Sequence, residues 1–138
     1  MEVRCATCHR GVPRPRLLED ELTLVLADSG LDAAARRYRA LREQYYGSGA
    51  YDFREQVLGQ VARSEAAAGR FDNAIGLLKL DAEFYPTSGG IPFMMGETLL
   101  QKGDTAGALA SYRDALARDS MMVPARRRLA ALSGAGPR

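Results

Sequence analysis

The only two cysteines and the only histidine of the chain share one five-residue run, Cys5-Ala6-Thr7-Cys8-His9. Two thiols three positions apart can each form a thioether with a vinyl group of a porphyrin. The imidazole that follows is then placed to become the proximal iron ligand, which is the attachment chemistry of haem c. On this reading Cys5 and Cys8 hold one covalent haem and His9 ligates the metal. Other chemistries stay open. Structural zinc takes four ligands, so Glu2 or a side chain of another protein would have to complete the set. A redox dithiol usually precedes a helix in a βαβ setting, and no strand pattern is visible. An unmodified remnant of an ancestral haem site is the remaining reading. With no second histidine, Met94, Met95, Met121 and Met122 are the sixth-ligand candidates within the chain. A ligand from a neighbouring molecule or an open position would serve equally, and Met94 and Met95 also read as gap-filling core residues.

Nothing else supplies catalytic machinery. There is no Walker A loop and no nucleophile elbow, and Glu19-Asp20-Glu21 reads as helix-start charge suited to the positive end of the dipole. The expectation is that the chain is not an enzyme. Its 138 residues are 46% hydrophobic and 26% charged, with 19 basic against 17 acidic side chains. That composition describes a folded domain, and its net charge of +2 is too balanced to argue for nucleic acid or an anionic membrane. No apolar run approaches the roughly 20 residues needed to span a bilayer. The opening Met-Glu-Val-Arg-Cys lacks the basic-then-apolar pattern of a secretory signal. A haem-bearing form would be periplasmic or extracellular, with Met1 not the natural start. A haem-free form would be cytoplasmic.

The elements that must position any site are helical and repeat. When the sequence is slid against itself, one constant offset puts Val61 on Met95, Ala62 on Gly96, Gly69 on Gly103, Ala74 on Ala108 and Leu78 on Tyr112. Each unit is an apolar helix, a Gly-centred turn and a second helix with a small residue near its start. The first spans about Glu55 to Pro86, with Leu58, Val61, Ala62 and Glu65 on one face and a second helix from Phe71 to Phe84. The second begins near Ile91, carries Met94, Met95, Leu99 and Leu100 on its first helix, and continues from Thr105 to Arg118 with Ala108, Leu109, Tyr112, Ala115 and Leu116 at helical spacing. Gly103 suits a left-handed terminator and Asp104 a cap. Upstream, Leu18, Leu22, Val25 and Leu26 mark a helix to about Asp28, Ser29-Gly30 a turn, and Ala33 to Tyr46 a return helix. A last helix, Val123 to Leu132, starts with Pro124 in its first turn and reads as a solenoid cap. The expected organisation is an irregular segment 1–15, a degenerate hairpin 16–46, two repeats over 55–120, and a capping helix with tail over 121–138.

These residues resemble the tetratricopeptide repeat (TPR) family, whose period of about 34 residues is the offset seen here. Ala62/Gly96, Gly69/Gly103, Ala74/Ala108 and Pro86 match the consensus in register; the family's early tryptophan is absent, and Pro92 and Ser120 depart from it. The resemblance implies an all-α solenoid of about three helical hairpins plus a cap, which binds partners on the face lined by the first helix of each repeat. By register that face would carry Gln56, Arg63, Phe93, Glu97, Gln101 and Arg127, facing a peptide, a protein or a second copy of the chain. Separately, Val3 to Pro15 is similar to a haem-binding segment of the multihaem cytochrome subunit of photosynthetic reaction centres. The two resemblances together imply an exported haem protein that transfers electrons while its solenoid docks or self-assembles. The alternative is a haem-free TPR scaffold that binds a peptide or protein partner.

Overall fold

The computed structural model describes residues 17–134, and within them the chain is helical, with no strand. Six helices follow one another: α1 (Leu18–Tyr45), α2 (Glu55–Ala67), α3 (Phe71–Phe84), α4 (Gly90–Lys102), α5 (Thr105–Arg118) and α6 (Val123–Leu132). The fold is a series of TPR-like helical hairpins. It divides into two compact units, one ending at Val61 and the other beginning at Ala62.

In the first unit, α1 is two helical limbs joined at one residue, Gly30, whose φ of 85° and ψ of −177° are not helical. The limbs double back. Arg37 reaches Glu21 at 3.0 Å, whereas a straight helix would hold these two positions about 24 Å apart. Leu18, Leu22 and Leu26 of one limb and Ala34, Tyr38 and Leu41 of the other are buried, the spacing of three and four that gives each limb one apolar face. Full burial of each leucine contributes about 2 kcal/mol. The segment before α2 is tied back by Phe53, whose ring meets Tyr38 edge-on at 5.9 Å. Arg42 donates to the Tyr38 hydroxyl and the Phe53 carbonyl, both at 3.2 Å, and its guanidinium lies 4.4 Å from the centre of the Tyr46 ring.

In the second unit α4 packs on both α3 and α5, and α6 packs on α5. The register positions explain how closely these helices approach. Ala62, Ala74, Ala108 and Ala115 are fully buried. At Gly96 a methyl group would come within 2.6 Å of the Tyr112 ring, so only glycine lets α4 meet α5 there. Both interhelical turns end in left-handed glycines, Gly69 with φ 80° and Gly103 with φ 94°, as the spacing predicts. The connection from α3 to α4 is fastened to the end of α5 by Arg118, which donates to the Pro86 carbonyl at 2.5 Å. One expectation shifts: on α4 the buried residues are Ile91, Pro92, Gly96 and Thr98, while Met94, Met95, Leu99 and Leu100 are half-buried.

Candidate functional site

Four of the residues that TPR register assigns to a binding face line one cavity of about 230 Å³ in the second unit: Arg63 from α2 and Phe93, Glu97 and Gln101 from α4. Ala66, Met94 and Thr98 complete its wall. The local cause is helical spacing: Phe93, Glu97 and Gln101 recur at i, i+4 and i+8, and Arg63 and Ala66 at i, i+3, so each helix presents one stripe. Phe93 is braced from behind by Tyr112, with ring centres 5.8 Å apart. The Thr98 hydroxyl donates to the Met94 carbonyl at 2.9 Å, so it is satisfied within its own helix. The floor is therefore apolar and the rim polar. At about 230 Å³ the cavity is below the roughly 300–1,000 Å³ of pockets that engulf whole small ligands, and it suits one or two side chains.

Glu97 is the electrostatic centre of the site. Its Oε1 accepts hydrogen bonds from the Tyr112 hydroxyl at 2.5 Å and from Arg128 Nε at 2.8 Å, and its Oε2 accepts one from Arg128 Nη2 at 2.8 Å. Burial pushes the Glu97 carboxyl up, but the hydrogen bonds from Arg128 and Tyr112 and the Arg128 charge outweigh it and hold the group below the usual carboxylate range. Burial and the neighbouring carboxylate push the Tyr112 hydroxyl up, so it stays a neutral donor. This fork-to-fork pair joins α6 to α4 and is the geometry in which arginine binds a carboxylate most firmly.

The remaining register assignments fare differently. Gln56 belongs to the first unit, where it is exposed on α2. Arg127 is exposed on α6, and its neighbour Arg128, about 100° further round the helix, is the side chain that meets α4. Sequence reasoning missed Arg128 and the role of the Tyr112 hydroxyl, since both lie too far along the chain from Glu97 for any local pattern to link them. Cys5, Cys8 and His9 lie outside the described residues.

No known protein-family profile matches the chain, and no curated protein matches it either. Solved structures do. The type III secretion chaperone SycD of Yersinia enterocolitica, in complex with a peptide of the translocator YopD, superposes with a TM-score of 0.56 at 18% identity, covering 86% of this chain and 91% of that one. The same chaperone in an alternative dimer gives 0.57 at 18% identity, with 86% and 90% covered. The likeness is one of fold.

It corrects the haem expectation. The fold that covers most of this chain is that of a chaperone solved with a peptide, not of a cytochrome, and among the described residues no three His, Cys, Asp or Glu side chains gather to hold a metal. The physical reason is in the packing. Of the methionines offered as a sixth ligand, Met94 lines a cavity too small for a porphyrin, Met95 is half-buried in α4, and Met121 is 77% exposed beside half-buried Met122. The expectation of haem c is therefore withdrawn, and with it the electron transfer that the haem would have carried.

Proposed function

We propose that the chain is a non-enzymatic binding module that holds a segment of another protein against α2 and α4 of its second unit. The observation that carries this reading is the convergence of Arg63, Phe93, Glu97 and Gln101 on one cavity. Register alone nominated these residues, and the cavity is sized for side chains of a peptide. The likeness to a chaperone solved with a translocator peptide supports the same reading. Among the described residues no helix is long and apolar enough to cross a membrane. The dimeric form of the similar chaperone keeps a second copy of the chain among the candidate partners.

A random peptide library displayed on phage and selected on the purified chain tests this. Enriched peptides should bind the Phe93→Ala protein at least about tenfold more weakly, the loss expected when a central aromatic anchor is truncated. Lys79→Ala, at an exposed position on α3, should bind them unchanged. Peptides that ignore Phe93→Ala would place binding elsewhere and sink the proposal.

A further inference from the structure

The charge of the cavity decides what kind of segment fits it. Arg63 and Glu97 hold one register position in successive repeats, and both line the cavity. On composition they would cancel. The structure separates them: both oxygens of Glu97 are taken by Arg128, which reaches in from α6 and does not line the cavity, and one of them also by Tyr112. Among the described residues no carboxylate pairs with Arg63, which is exposed at the rim. The site therefore presents an apolar floor of Phe93, Met94 and Ala66 beside one uncompensated guanidinium, with the Gln101 amide close by.

We propose that the cavity takes a peptide segment setting a large apolar side chain beside an acidic one, the first on Phe93 and the second on Arg63. The occupant comes from another protein. The chain's own segment 1–16 carries Arg4, Arg10, Arg14 and Arg16 against the one acid Glu2, the same sign as Arg63 and so the wrong complement. Arginine matches a carboxylate with two parallel donors, and at an exposed rim the attraction weakens as salt rises. Arg128 tunes the site from outside it. Removing Arg128 restores the charge of Glu97 to the cavity and turns a net positive site into a neutral one.

This inference rests on the binding reading above, and the test separates the two. The phage library is selected on the full chain and on Phe93→Ala, Arg63→Gln and Arg128→Gln, each shown by a cooperative thermal melt to be folded. The most enriched wild-type sequence is then synthesised with its acidic residue or the matching amide, and both are titrated by fluorescence anisotropy. The expected result is an acid within two positions of the apolar anchor and about fivefold weaker binding of the amide peptide. That preference should vanish in Arg63→Gln and shrink in Arg128→Gln. If Phe93-dependent peptides bind acid and amide forms alike, or the preference survives Arg63→Gln, the charge inference is wrong and the binding module stands. If no Phe93-dependent peptide emerges, both fall. Arg63 is exposed, so its variant decides the matter even if Arg128→Gln does not fold.

Discussion

The turn at Gly69 and the turn at Gly103 are built on the same backbone and closed by different side chains. In the first, Gly69 N–H donates to Ala66 and Arg70 N–H to Glu65; in the second, Gly103 N–H donates to Leu100 and Asp104 N–H to Leu99. Every donor and acceptor in one turn occupies the same repeat position as its counterpart in the other. The side chains then part ways. Asp104 turns forward and caps α5, accepting from Gly107 N–H at 2.9 Å. Arg70, at the equivalent position, turns backward and grips Glu65 at 2.7 and 2.8 Å, with Asn73 donating to the same carboxylate at 2.9 Å. Glu65 is only 3% exposed, so its charge must be met from inside the repeat; its counterpart Leu99 makes no such demand. The glycine is common to both turns because the backbone requires it. The side-chain closure differs because one buried carboxylate requires it.

Perturbing matched positions tests how far the repeats have diverged. The largest effect should come from Gly96→Ala, which forces a methyl against the Tyr112 ring and should cost about 3 kcal/mol in urea unfolding. Its counterpart Ala62 already carries that methyl and is fully buried. Equal tolerance at the two sites would mean that α5 can back away from α4. Arg70→Ala should come next, because it deprives a buried charged acceptor of its ionic donor. The loss stays below that for a fully buried pair because the Arg70 side chain is 57% exposed. Asp104→Ala should cost about 1 kcal/mol, the usual loss for an N-cap. If Asp104→Ala proves costlier than Arg70→Ala, the roles assigned to the two turns are reversed.

Acid should distinguish the turns more gently. The hydrogen bond from Arg70 is the main cause holding the Glu65 carboxyl below its ordinary 4.5, against the opposing pull of burial. The unfolded chain therefore binds the proton more readily. The resulting stabilisation is complete above about pH 4.5 and drains away as the pH falls through the lower folded value. Arg70→Ala should flatten this acid limb in pH-dependent melts, while Asp104→Ala should leave it in place. An unchanged limb in Arg70→Ala would show that another carboxylate carries it, with Glu97 the next to examine.

What could be read in advance was local. Gly69, Gly103 and the small residues at 62, 74, 96 and 108 follow from backbone sterics and close helix approach, and the repeat period set the helix boundaries. The phase of α4 was harder, because Ile91, Pro92, Phe93, Met94, Met95, Leu99 and Leu100 leave little polar contrast around the helix to fix its inward face. Register still chose Phe93, Glu97 and Gln101, since it borrows the phase from the family. On α6 register names Arg127, while the neighbouring Arg128 is the side chain that pairs with Glu97. The partner of Glu97 depends on how α6 lands, which no window of sequence contains. Cys5, Cys8 and His9 were the most legible chemistry, yet they prescribe no fold, and the haem expectation built on them did not survive the architecture.

Gly30 reverses the chain within a single residue, so the two limbs of α1 have no slack between them. Its φ and ψ lie in territory that glycine alone enters freely, and nothing approaches within 4 Å of where a side chain would start. An alanine there would meet no clash, only torsional strain. A straight rod would relieve that strain but part Leu18, Leu22 and Leu26 from Tyr38 and Leu41. Two such rods lying antiparallel could bury those apolar faces against each other. In Gly30→Ala the hinge is expected to become a switch of valency, an exchanged pair that light scattering would weigh as twice the mass; a monomer of lowered stability would show that the strain is absorbed within the hairpin.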